Sequence, residues 1–200
     1  MKNAVIIVIL YSLVGFGCHK KNETDACGCH GPKTETIENV FGIMAETEDG
    51  FEILTDTKGL LIPCSDLSKD FKIESQPVIV SGTLKIPCKK IPDEFSITPI
   101  EISSLKLRDS GYNKSDISLS IIKSEDYGYD PGFGYFIKDN RSSGGISIIQ
   151  PHIPAVSGLT PFATQEQATK TAMLVIYLLR NYTGLPSLSI EVLKYIKVIK

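Results

Sequence analysis

Residues 77–86 read PVIVSGTLKI. β-Branched residues dominate a short run with no 3.6-residue period, so the stretch is a strand. Working outward, similar runs recur at Val40–Ala45, Phe51–Thr55, Leu60-Leu61-Ile62 and Ile97–Leu107. In the second of these Phe51, Ile53 and Thr55 alternate with Glu52 and Leu54, and in the last Ile100, Ile102 and Leu105 are the inward residues. Glu48-Asp49-Gly50 and Asp56-Thr57-Lys58-Gly59 are turn signals between strands, and Leu67–Phe71 is a helical turn. Five short strands with no long helix among them predict a small β-barrel of the oligonucleotide/oligosaccharide-binding (OB-like) type, with a sandwich as the alternative. Pro63, Pro87 and Pro92 fall at strand ends, where no ladder N–H is required.

The second half has a different grammar. The polar stretch Arg108–Lys114 is the boundary. Strands follow at Ile117–Ile122, Gly134–Asp139 and Ile146–Gln150, with Asn140–Gly145 as a hairpin loop. A proline-rich loop, QPHIPAVSG, leads to a helix. Thr164-Gln165-Glu166-Gln167 fits a capping box, and Ala168, Ala172, Met173, Val175, Ile176 and Leu179 follow at helical spacing. Gly184 and Pro186 stop it, and a short second helix begins at Ser189. The fold class is α+β: a small barrel or sandwich over 38–108, then an antiparallel-sheet-plus-helix domain over 115–200.

The chain has 200 residues, 42% hydrophobic and 22% charged, which excludes a disordered chain and a multi-pass membrane protein. With 21 basic and 23 acidic residues the net charge is −2, without the basic excess that binding nucleic acid requires. Residues 1–17 have another purpose. A positive start is followed by the apolar run AVIIVILYSLVGF, Ala4 to Phe16. As a helix it would span about 20 Å, short of a bilayer core of about 30 Å, so it reads as a signal peptide. Gly15-Phe16-Gly17-Cys18 resembles a bacterial lipobox, in which the signal is cut before a cysteine that then carries diacylglycerol and an N-acyl chain such as palmitate. Cys18 is therefore the expected lipidation site, and the mature chain is expected in the cell envelope, anchored in the outer membrane.

Four cysteines remain: Cys27, Cys29, Cys64 and Cys88. An even count in an exported chain predicts two disulfides. A Cys27–Cys29 bond would close a very tight ring, so both are expected to bridge outward, to Cys64 and Cys88, and to pin the N-terminal segment on the barrel. Zinc is the competing use of Cys27-Gly28-Cys29-His30, but paired zinc cysteines are usually spaced more widely. No metal and no cofactor are expected. The polar residues 18–37 read as a tether ending in this cysteine clip.

Catalysis finds little support. Of three histidines, His19 and His30 lie on the tether, and His152 sits between Pro151 and Ile153 with no nucleophile nominated beside it. Glu48/Asp49 and Glu125/Asp126 lie in apparent turns rather than flanking a bond to be cut. The glycine-rich stretches lack the context of a phosphate loop. Residues 127–136, YGYDPGFGYF, crowd five aromatics among glycines. Tyr127, Tyr129, Phe133, Tyr135 and His152 are therefore the binding candidates, against a plainer reading in which Phe133 and Phe136 are core and the tyrosines cover an edge.

Gly132–Ile137, Gln150–Gly158, the helix start Phe162–Ala168 and the exit Leu185–Ser189 together resemble a domain of unknown function found in Bacteroidetes-type envelope lipoproteins. The resemblance covers about residues 115–197. Weaker likenesses to the small β-domains of such lipoproteins lie in Gly28–Pro32, Leu61–Cys64 and Val80-Ser81-Gly82. It implies an exported lipoprotein of β then α+β build, and supplies no activity or ligand. The expectation is a lipid-anchored, non-enzymatic module that binds an envelope protein or a glycan. The alternative is an enzyme or enzyme-accessory protein acting on envelope polymers.

Overall fold

The computed structural model describes residues 27–88, 96–108, 116–141, 145–181 and 186–200. The stretch read as a signal peptide, Cys18, most of the expected boundary after Arg108 and the hairpin tip lie outside these residues. Five strands close the N-terminal barrel: β1 (Lys33–Thr47), β2 (Gly50–Thr55), β3 (Gly59–Pro63), β4 (Pro77–Lys85) and β5 (Ile97–Leu107), in the order β1-β2-β3-β5-β4. All neighbours are antiparallel except β3 and β5. Closure selects the barrel over the sandwich. The period of two then sorts the side chains. Met44, Ile53 and Leu61 share one row of the ladder and fill the interior with Val78, Val80 and Ile100. Ile43, Leu54, Leu60 and Ile97 form the adjacent row, point outward, and are still no more than 3% exposed. Ile102 and Leu105 both pack against the interior although they are three apart, because the register shifts between Ser81 and Gly82.

β1 begins at Lys33, inside the segment read from sequence as tether. Lys33–Ile37 pairs with Gly82–Lys85, and a second shift between Ile37 and Val40 leaves Asn39 left-handed at φ 51°, its N–H donating to Ser81 Oγ at 2.9 Å. The KTET stretch is exposed, so no apolar alternation marked it as a strand. The clip holds it in place. Cys27 is bonded to Cys88 and Cys29 to Cys64, with Cα–Cα distances of 5.0 and 5.2 Å. Both N-terminal cysteines do bridge outward.

The second sheet has the order β6 (Ile117–Lys123), β7 (Phe133–Asp139), β8 (Ile146–Gln150), all antiparallel. Helix α1 (Gln165–Asn181) starts with the forward half of the capping box, Gln167 N–H donating to Thr164 Oγ1 at 3.2 Å, while Gln167 Oε1 reaches back one residue further and accepts from Ala163 N–H at 3.1 Å. Ser189 caps α2 (Ile190–Tyr195), accepting from Val192 N–H. Every residue of α1 from Lys170 to Leu179 is buried. One apolar cluster joins the barrel's outer row, α1, α2 and the inner face of the second sheet through Tyr135 and Ile137. The two sheets therefore meet across α1.

Charged ties fix that arrangement. Lys170, 3% exposed, pairs with Glu74 at 2.8 Å and donates to Ile196 O beyond α2. At the other end of α1, Arg180 reaches the wholly buried Asp56 of the β2–β3 turn at 3.2 Å and Asp116 at 2.9 Å. Arg141 pairs with Asp139 at 2.7 Å and donates to Leu179 O at 2.6 Å. The guanidinium holds the Asp139 carboxyl below the usual carboxylate range. Tyr195 OH lies 2.9 Å from Glu52 Oε1 and 3.0 Å from Asp49 Oδ2.

Two outcomes follow. Replacing Cys29 and Cys64 together by alanine should cost about 4 kcal/mol in denaturant unfolding, the loop-closure value for a bridge spanning 35 residues. Because the Asp139 pKa is depressed in the folded state, its ion pair stabilises above pH ~4 and the contribution is lost as pH falls through the folded pKa. Arg141→Ala should therefore cost about 1–2 kcal/mol at pH 7, discounted for the partial exposure of Arg141, and the gap to the parent should close in urea titrations run toward pH 2.

Candidate functional site

The aromatic stretch is built as a loop closed on itself. Ser124–Tyr127 forms a 3-10 turn after β6, ended by Gly128 at φ 81°. Ser124 N–H donates to Gly132 O at 3.1 Å, Gly132 N–H to Glu125 Oε2 at 3.3 Å, and Ser124 Oγ to Pro151 O. Backbone N–H donors hold the Glu125 carboxyl below its ordinary value. The glycines of the GFG run are required by close approach. A Cβ on Gly134 would lie 2.5 Å from Pro151 Cα, and one on Gly132 would lie 2.6 Å from Pro161 Cβ. Phe133 and Phe162 exchange backbone hydrogen bonds of 2.9 and 3.0 Å between them. The 124–132 loop and the proline-rich loop are thus seated on one another.

The five binding candidates divide. Tyr127 is displayed, at 44% exposure. Tyr129 stands against His152 with ring centroids 5.6 Å apart and planes tilted 53°. Phe133 is half-buried and packs against the core cluster. Tyr135 corrects the sequence reading: it is 2% exposed, its ring lies 6.0 Å from that of Phe162, and burial pushes its phenol pKa up. It faces α1 because it shares the β7 face of Ile137. Of the two phenylalanines, Phe136 is on the opposite face and half-buried. A tyrosine thus takes the core position that the pattern suggested for a phenylalanine.

His152 is held by its own loop. Gln150 Nε2 donates to His152 O at 2.9 Å and lies 3.2 Å from His152 Nδ1, which is also 3.3 Å from Ile153 O. Nδ1 is spent on local contacts. Among the described residues, no carboxylate is hydrogen-bonded to the ring in the manner of a Ser-His-Asp triad. Ile153 is buried and its N–H donates to Thr160 O at 2.8 Å, so the segment between them is pinched at its base. Ala155 and Leu159 take left-handed φ values of 62° and 52° there, and Leu159 is 54% exposed. Tyr127, Tyr129, His152 and this loop are displayed by the loops of the second sheet, and β8 exposes Ile146 and Ile149 as well. The four clip cysteines are bonded as disulfides, and among the described residues no three His, Cys, Asp or Glu side chains group to hold a metal. Also among the described residues, no helix is long and apolar enough to cross a membrane.

The sequence reading missed the Asp49–Glu52–Tyr195 cluster. Asp49 is the exposed turn residue that the sequence suggested, and Tyr195, arriving from the other end of the chain, adds a hydroxyl contact to it. Glu52, 2% exposed, sits in an otherwise apolar strand, and that local oddity was the available signal.

Removing the Tyr135 ring should damage the fold rather than a binding surface. Tyr135→Ala is expected to cost about 3–5 kcal/mol in urea unfolding, in the range for a buried aromatic. Tyr127→Ala should stay within about 0.5 kcal/mol of the parent.

Residues 125–194 match a family described as Domain of unknown function (DUF4907). No curated protein matches the chain. The matched segment begins in the 3-10 turn before the aromatic loop, runs through β7, β8 and α1, and ends in α2.

Proposed function

We propose that this is a lipid-anchored protein of the outer membrane whose folded part binds a protein or glycan partner and carries out no chemistry of its own. The lipobox-like Gly15-Phe16-Gly17-Cys18 supports the anchor. Acyl chains at Cys18, each buried CH₂ contributing about 0.8 kcal/mol, hold a polypeptide stably once two or more are attached. The observation that carries the binding role is the state of the aromatic loop. Tyr127 is exposed on a 3-10 turn closed by the Gly128 N–H to Glu125 O and Tyr129 N–H to Ser124 O hydrogen bonds, and beside it the Nδ1 of His152 is held within its own loop. A rigid aromatic edge of this kind offers contact area at little entropic cost.

Cys18→Ser should abolish incorporation of labelled palmitate and move the protein from the membrane fraction to the soluble fraction; a variant that stays labelled defeats the anchor. In a pull-down from detergent-solubilised envelope, Tyr127→Ala should recover at least fivefold less of whatever partner the parent retains. Turnover of an envelope polymer by the parent, abolished by His152→Ala, would replace the binding role with the enzymatic one.

A further inference from the structure

A cleft of about 370 Å³ opens where one end of the barrel meets the C-terminal end of α1. Its walls come from the start of β1, the β2–β3 turn, the end of β4, the start of β5 and the last turn of α1, and none comes from the aromatic loop. Its size lies within the range of small-molecule sites, about 300–1,000 Å³.

The wall chemistry narrows the occupant. Lys58 Nζ donates to both oxygens of Glu35, at 2.7 and 2.9 Å. An ammonium has three donors, so a third N–H remains beside carboxylate oxygens that still carry lone pairs. That places a donor and an acceptor side by side, the arrangement that two neighbouring hydroxyls of a sugar ring can satisfy together. Ser96 Oγ and Thr98 Oγ1 are 2.9 Å apart, so one hydroxyl hydrogen is used between them and the other is left for a ligand. Asn181 adds an amide whose orientation is fixed by Tyr177 O at 2.8 Å. Pro87, exposed, gives the cleft an apolar side on which the C–H face of a ring can lie, while Leu84 lines its floor from the barrel core.

Charge decides between a polyol and an ion. Lys58 is neutralised by Glu35, and Lys85, whose side chain is 11% exposed, by Glu101 at 3.1 Å. Phosphate or sulfate could take the third Lys58 N–H only against the repulsion of the adjacent Glu35 carboxylate, and a cation would meet the same opposition from the lysine ammonium. A neutral ligand rich in hydroxyls requires neither. We infer that this cleft binds a neutral saccharide.

The inference stands apart from the lipid anchor and the aromatic loop, so loss of either of those readings leaves it in place. The test is calorimetric titration of the full chain in detergent with neutral disaccharides built from glucose, mannose, galactose and N-acetylglucosamine, and with inorganic phosphate as the ionic probe. At least one disaccharide should bind with a Kd of ~1 mM or tighter. Thr98→Val and Lys58→Met should each weaken it about tenfold, equivalent to ~1.4 kcal/mol, with melting curves reporting that both variants remain folded. Three results overturn the inference: no disaccharide saturates the protein, phosphate binds more tightly than every sugar, or Tyr127→Ala abolishes sugar binding while both cleft variants retain it.

Discussion

Helix α1 has no solvent face through its central turns, and that constraint organises the molecule. Ala172 to Leu179 is an unbroken apolar run that is buried throughout. A surface helix needs an apolar stripe on one side only; one apolar all round needs cover on both. The barrel's outer row supplies one side, and the inner face of the second sheet supplies the other. Burying a large apolar side chain contributes about 1.5–3 kcal/mol, several times the differences in helix propensity among ordinary residues, so packing rather than local preference holds α1 in place. Its docking also has a functional consequence. In OB-type barrels the outer face of strands 2 and 3 is the surface used for oligonucleotides and oligosaccharides. Here Leu54 and Leu60 on that face are covered. Among the surfaces left open for recognition are the loops and the Phe136–Ile149 face of the second sheet and the ends of the barrel.

The disulfide clip answers a weakness in the same barrel. β3 is only five residues long and pairs with β5 in parallel, the less stable geometry. Cys64 follows β3, Cys88 follows β4, and β5 runs between those two strands. The segment 27–30 crosses this seam and is bonded to both sides, with Gly28 N–H donating to Ile86 O at 2.7 Å as well. On the lipid-anchored reading the clip also sets reach. Cys18 precedes Cys27 by only nine positions, so the anchor lies within about 30 Å of the clip even when that stretch is fully extended. The seam side of the barrel would then be held near the bilayer, and the tether would limit the body's rotation.

Sequence pattern revealed the elements better than their assembly. The capping box at Thr164, the Ser189 cap and the five barrel strands were legible because each depends on residues close in the chain. Outward bridging of Cys27 and Cys29 was legible from ring size, but the choice of partner needed the barrel. Lys33–Thr36 was not legible, because an exposed polar strand is ordered by its ladder and by a covalent clip that periodicity does not register. Tyr135 was mistaken for a surface residue because period two marks which residues share a face without saying which face meets α1. In the helix, attention to spaced positions such as Ala172 and Ile176 hid the plainer fact that Leu174, Tyr177 and Leu178 between them are apolar too. That continuity was the available sign of a helix covered on both sides.

An all-round apolar helix raises a further problem: apolar contact alone says little about its rotation or its position along the axis. The buried charges supply that information. Lys170 is the one charged residue in the buried run of α1, and it can be accommodated only where Glu74 and the carbonyl of Ile196 receive its ammonium. Arg180, ten residues on, must meet Asp56 and Asp116 together, one from each half of the molecule. Turning α1 by one residue, or sliding it by a turn, would strand Asp56 and Lys170 without these partners. Breaking a buried pair by removing one member costs about 3–5 kcal/mol, comparable to losing a large core side chain, although the intact pair gives little net stability over apolar replacements. The charges therefore act chiefly against wrong arrangements. They bind barrel, helix and second sheet into one register, and hold the aromatic loop in fixed relation to the clip.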